Sequence, residues 1–275
     1  MSLQNEICVV TGAAGVLCSA LVEALLEDGG RVALLGRTES KLIDLKKRLA
    51  EKGYDQTLVV AADVLNPESL RVAKAKINKD WGKVYLLVNG AGGNHPKATS
   101  PAEQMTAGTS MEDSFFGLDA DAYSQVFDLN FKGSFIPAQI FGEDMIEAGE
   151  GNIVNISSMS ASRPLTKVGA YSNAKAAVDS FTQWLSVHLA QKNIRVNAIA
   201  PGFFVSDQNR FLLYEKDAKT LTARGQKIIN NTPMHEFGKP EDLKGVMKFL
   251  AGSESRFING IILPVDGGFS AFAGV

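Results

Sequence analysis

The chain has 275 residues, 45% of them hydrophobic, and a formal net charge of -2. It carries no block of like charges, which argues against a nucleic-acid groove or a membrane-binding face, and no apolar run of the ~18–20 residues that crossing a bilayer takes. Two cysteines, Cys8 and Cys18, make no disulfide framework. Size and composition fit one α/β domain over residues 1–275, expected in the cytoplasm.

Strands and helices alternate along the sequence. Residues 7–10 read as a first strand, and Leu17, Leu21, Leu25 and Asp28 recur behind it at helical spacing until Gly29-Gly30. The turn between them is TGAAGVLC, residues 11–18. A glycine-rich strand-to-helix turn lets the backbone approach a pyrophosphate, and the helix start supplies free N–H groups and a positive dipole end. Thr11, Gly12, Ala14, Gly15, Val16 and Leu17 are therefore candidate contacts to a dinucleotide. The second strand, 31–35, ends in Leu35-Gly36-Arg37. An acidic residue at that point binds the 2′-hydroxyl of NAD, whereas arginine favours the 2′-phosphate of NADP. Arg37 thus points to NADP(H), with NAD the alternative.

A charged amphipathic helix covers 40–52 and a third strand 57–62. Asp63, followed by Val64, ends that strand where a carboxylate can accept from an adenine amino group. A helix opens at Pro67 and runs to 81, and the strand 84–88 leads into Asn89-Gly90-Ala91-Gly92, where small residues admit adenine and ribose. Residues 91–114 then break the rhythm. The segment is rich in Gly, Ser, Thr and Pro and too long for an ordinary connection, so a substrate loop is expected at about 93–115. Helices at 119–148, 168–191 and 239–251 alternate with strands at 151–157, 194–200 and 260–265. A partly helical lid is expected at 203–235. The whole predicts a doubly wound Rossmann fold with three layers and a mostly parallel sheet of seven strands.

Tyr171 and Lys175 sit one helical turn apart on one face. Alone, the spacing is common. Here it follows Ser158, at the end of the strand INISS, and Asn130, in FDLNFKG, and all of them fall at the carboxyl edge of the sheet where open α/β folds bind ligands.

With these motifs, and with Pro201-Gly202 and PVDGG at 264–268, the sequence resembles the short-chain dehydrogenase/reductase family over nearly its whole length. The resemblance implies an NAD(P)-dependent oxidoreductase acting on a CH–OH group. It implies that Tyr171 is the acid/base, that Lys175 lowers its pKa and binds the ribose, that Ser158 holds the substrate oxygen and that Asn130 holds a water. Pro201, Gly202, Phe204 and Ser206 would cradle the nicotinamide, and pairing of the long helices would give a homotetramer or homodimer. The sequence departs from the family pattern twice. Val16 and Cys18 stand where the turn commonly has glycine, and Gly90 stands where the family has a second asparagine.

GAGGNHPKAT, NISSMSASRPLT and APGFFVSDQNR are similar to the D-mannonate oxidoreductases, or fructuronate reductases, of this family, which interconvert a hexulosonate and a hexonate. Arg163 and Arg210 are then candidates for a substrate carboxylate, and Asn94, His95 and Asn209 for hydroxyls. Each also has a local alternative: Arg163 a surface ion pair, Arg210 a solvated helix position, His95 the ordering of its own loop. A gluconate 5-dehydrogenase-like activity, a 3-oxoacyl thioester reductase and a non-catalytic coenzyme-binding regulator are the alternative functions. No metal site is expected, because no His/Cys/Asp/Glu cluster has ligand spacing. The apolar tail 269–275 is expected over its own site or on a neighbouring subunit.

Overall fold

The computed structural model describes residues 3–205, 210–217 and 219–274. Seven strands form one sheet in the order β3-β2-β1-β4-β5-β6-β7, and every pairing is parallel. They are β1 (Ile7–Thr11), β2 (Arg31–Gly36), β3 (Thr57–Ala61), β4 (Leu86–Asn89), β5 (Gly151–Ile156), β6 (Ile194–Pro201) and β7 (Ile262–Val265). β1, β4 and β5 are buried along their whole length, which a parallel sheet covered on both faces requires. The order reverses direction between β1 and β4, so a crevice opens beyond their carboxyl ends.

One layer holds α1 (Val16–Glu27), α2 (Glu39–Glu51) and α8 (Lys244–Ala251), and their apolar faces share a core with β1, β2 and β4. Lys244 ties α8 to Glu23 and Glu27 of α1 at 3.0 and 2.9 Å. The other layer holds α3 (Pro67–Asp80), α4 (Ala120–Ala148) and α5 (Gly169–Leu189) around Phe141, Met145 and Phe181. Capping sets the helix ends. Asn66 accepts from the Glu68 and Ser69 amides, with Pro67 behind it, and Asp119 accepts from the Ala122 amide at 2.7 Å. Gly149, at φ +79°, ends α4.

Two segments stand outside the layers. Residues 93–115 hold the short 3-10 turn Pro96–Ala98 and run into a second, Phe115–Gly117; residues 203–235 contribute α6 (Arg210–Leu213) and α7 (Ala223–Asn230). The predicted helix 239–251 divides into a 3-10 turn, Pro240–Leu243, and α8. No helix among the described residues is long and apolar enough to cross a membrane.

Candidate active site

The floor of the crevice is assembled by register. Thr11 stands opposite Asn89, and Asn89 opposite Asn155, so three polar side chains lie at one level across β1, β4 and β5. Thr11 Oγ1 accepts from the amides of Gly90 and Ala91 at 3.0 and 3.1 Å, pinning the 90–92 turn to β1. Asn89 Nδ2 donates to Asn155 Oδ1 at 2.9 Å, and Asn155 Nδ2 donates to Thr182 Oγ1 at 2.8 Å. This buried relay locks α5 to the sheet, each bond contributing about 1 kcal/mol net. Thr11 and Asn89 thus stand behind the crevice wall and shape it.

The first turn of α5 brings Tyr171 into the crevice, and Lys175 follows beneath it. Lys175 is buried, its Nζ 5.6 Å from the centre of the Tyr171 ring and donating to the Ile156 carbonyl at 2.6 Å. Ser158, two residues past β5, caps the 3-10 turn Met159–Ala161 beside them. Its hydroxyl accepts from the Ser160 amide and hydroxyl at 3.2 and 3.0 Å, which leaves its own proton for the bond it shares with Tyr171. Asn130 is buried on α4. Its amide nitrogen donates to the Gly93 and Val126 carbonyls at 2.7 and 2.8 Å, and its oxygen accepts from the Gly93 amide at 3.3 Å. A methyl group at Gly92 would lie 2.6 Å from Asn130 Oδ1, so only glycine lets the turn pass this close.

Burial raises the Tyr171 pKa, and the Ser158 hydrogen bond opposes it. Burial pulls Lys175 down to about 8, against smaller opposing effects of Cys18 and Asp179. In the coenzyme-free protein Lys175 is not among the groups that lower Tyr171. The ammonium lies beneath the ring with a proton committed to Ile156, and both groups pay for desolvation. Tyr171 rests here as a phenol.

A dinucleotide fits the other half of the crevice. α1 begins at Gly15 with no side-chain cap and no acid in its first turn, so its leading amides face the opening. Gly12, at φ +65°, lies so close to the 90–92 turn that a Cβ would stand 2.9 Å from Ala91 Cα. Val16 and Leu17 line a cavity with Gly202, Phe203 and Phe204 across it. The short chain dehydrogenase family profile matches residues 6–216. The protein belongs to that family. Its NAD(P)-dependent oxidoreductase activity on a CH–OH group follows, as does a nicotinamide coenzyme.

The dehydrogenase is 47% identical over 275 residues to the uncharacterized oxidoreductase UxuB of Bacillus subtilis, covering 100% of this chain and 98% of that one. A crystal structure from Haemophilus influenzae with bound NAD, assigned provisionally as a D-mannonate oxidoreductase, superposes with a TM-score of 0.94 at 43% identity, covering 100% of this chain and 98% of that chain. A gluconate 5-dehydrogenase from Burkholderia cenocepacia, in complex with NADP and tartrate, gives 0.84 at 26% identity, covering 98% and 97%.

The two departures from the family pattern meet at Cys18 and Gly90. Cys18 Sγ donates to the Gly90 carbonyl at 3.5 Å, and a Cβ at Gly90 would fall 2.2 Å from that sulfur. The thiol occupies the space a side chain at 90 would need. Burial raises it to about 11, so it stays neutral beneath the crevice.

The other expected residues divide. Arg37 is exposed at the end of β2, and Asp63 uses one oxygen to accept from the Leu65 amide at 3.0 Å. Val64 is buried against Gly133 and is a packing residue. Asn94 donates to Thr99 Oγ1 at 2.9 Å, and His95 Nδ1 caps its own 3-10 turn at the Lys97 amide, 3.2 Å away. Arg163 donates from Nε to the Ser270 carbonyl at 3.2 Å. Arg210 lies over the Tyr214 ring at 5.1 Å and lines a separate depression with His235 and Lys239. Ser206 and Asn209 lie outside the described residues. The tail folds back on its own subunit, with Phe269 against Phe203 at 5.3 Å and Ser270 bound to Asp266 as well as Arg163. Sequence reasoning missed Asn155, Thr182 and the Asp266–Ser270–Arg163 tie. INISS could have flagged Asn155 as a polar residue inside a buried strand, but nothing local announces the tail contact.

Proposed function

We propose that the dehydrogenase interconverts the ketone and secondary alcohol of a sugar acid, with D-fructuronate and D-mannonate as the pair. The observation that carries this reading is the convergence of Tyr171, Ser158 and Lys175 at the carboxyl edge of the sheet, with a fixed guanidinium on the loop just beyond Ser158. A bound coenzyme would supply or accept the hydride. The Tyr171 phenol donates its proton to the ketone oxygen, or takes it back from the alcohol. Ser158 hydrogen-bonds the same oxygen as charge develops. Lys175 would bind the ribose hydroxyls and hold positive charge under the ring, and Asn130, which holds the 92–93 turn, would relay protons behind Lys175 through a water.

Arg163 is the residue we assign to the substrate carboxylate. Its Nε bond to Ser270 fixes the plane of the guanidinium and leaves the terminal nitrogens as a fork for two oxygens. Arg210 is a weaker candidate, since it packs on Tyr214. Asn94 and His95 would read hydroxyls with whatever donors their loop bonds leave. Arg37, following Gly36 in the place of an acid, favours NADP(H); the NAD-bound relative keeps NAD as the alternative. The exposed Ile146, Trp184 and Val187 on α4 and α5 support pairing through these helices, which light scattering would test.

Purified protein should consume reduced nicotinamide with fructuronate and not with an acetoacetyl thioester. Turnover of the thioester alone would refute the sugar-acid reading, and equal affinity for NADH and NADPH would refute the role given to Arg37.

A further inference from the structure

The cavity at the α1 end of the crevice has Val16 and Leu17 as one wall, Gly202 and Phe203 as the other, and Leu212 and Arg224 above. Arg224 is the one charged side chain among the described residues that line it. The turn below offers backbone amides but no cation, since residues 11–18 contain no lysine or arginine. A helix terminus presents only about half a unit of positive charge, and a dinucleotide's diphosphate carries two negative ones. At Val16 a Cβ also stands in the wall of the same cavity.

We propose that Arg224 is a lid-borne cation that closes on the diphosphate of the bound coenzyme. Its position is built. Thr222 caps α7 by accepting from the Gly225 amide at 3.0 Å, and its hydroxyl donates to the Leu212 carbonyl at 2.8 Å, so the start of α7 is fixed to α6. One turn later Lys227 pairs with Glu103, which moors α7 across the mouth to the 93–115 segment. Glu103 feels the charge of Arg224, but its hydrogen bond goes to Lys227. The Arg224 guanidinium has no hydrogen bond or ion pair to a described residue. Neither Tyr171 nor Ser158 lines this cavity, and the α1 turn does, which favours the diphosphate over a substrate carboxylate.

This role for Arg224 rests on the coenzyme site and not on the choice of substrate. Its test is a binding measurement on the full-length protein, with NADH by fluorescence and with ADP-ribose and adenosine by calorimetry. Arg224→Gln should weaken NADH and ADP-ribose by about tenfold or more and leave adenosine within about twofold, because a charge-assisted bond to phosphate is lost. Arg224→Lys should recover part of the loss, and added salt should narrow the gap between wild type and Arg224→Gln. Unchanged NADH affinity in Arg224→Gln would overturn the proposal. So would an equal loss for adenosine, which would mean structural damage, or a rise in substrate KM with NADH affinity intact, which would place the arginine on the substrate. Failure of the wild type to bind NADH would overturn the coenzyme site along with it.

Discussion

Beneath the crevice, β1, β4, β5 and α5 meet through buried hydrogen bonds; above it, the 93–115 segment and the lid meet through exposed ones. Thr11, Asn155 and Thr182 are sealed from solvent, so a group that loses its partner there has no water to replace it. The Lys227–Glu103 pair that spans the roof is open to water on both sides. A buried polar bond is costly to break, because the orphaned group is stranded, whereas an exposed ion pair trades almost evenly with hydration. The floor is therefore held by bonds that are costly to lose, and the roof by one that costs little.

Substitutions in the two regions should separate accordingly. Tyr171→Phe should have the largest effect, lowering kcat by about three orders of magnitude while NADH affinity stays close to wild type. A variant that kept a tenth of the activity would break the assignment of the proton to this phenol.

Lys175→Met tests the floor through stability. The folded pKa of Lys175, about 8, lies below its ordinary value of 10.5. Burial of the ammonium therefore costs the coenzyme-free fold about 3 kcal/mol below pH 8, and this cost fades as pH rises towards 10.5. Loss of the bond to Ile156 offsets about 1 kcal/mol of it in the variant. Lys175→Met should thus be inactive yet more stable than wild type at pH 7 by urea unfolding, with the gap closing as the pH is raised. A gap that widened with pH would contradict the sign.

Gly90→Asn should destabilise by about 1–3 kcal/mol through overpacking against Cys18. Adding Cys18→Gly should recover only part, since the Thr11 carbonyl still stands 2.9 Å from the new Cβ. Urea midpoints of the single and double variants measure the coupling, and strict additivity would mean that the two positions do not share this space.

The smallest effect belongs to the roof. Glu103→Gln should leave the melting temperature unchanged and raise substrate KM by roughly two- to threefold, as the lid loses its mooring. A large fall in stability would erase the distinction between the two regions.

The same division decides what could be read from sequence. The parallel sheet, the α1 turn and the Tyr171–Lys175 pair were legible because periodicity and local spacing encode them. That His95 could order its own loop was legible, but not that Thr99 would occupy Asn94, because this is a bond within a loop of irregular backbone. The Cys18–Gly90 exchange was visible as two anomalies and not as one, since the partners are joined by strand pairing 72 residues apart. The burial that raises Tyr171 was not legible for a different reason: spacing gives neighbours, but not how deeply they are buried.

The single hydroxyl of Thr11 carries a consequence for dynamics. Because it accepts from two successive amides, those of Gly90 and Ala91, the first and fourth strands cannot part at their ends without releasing both protons together. Deuterium uptake at these two positions should be slow, equal and matched to the opening of the whole strand junction, making the pair a built-in reporter of when the crevice comes apart.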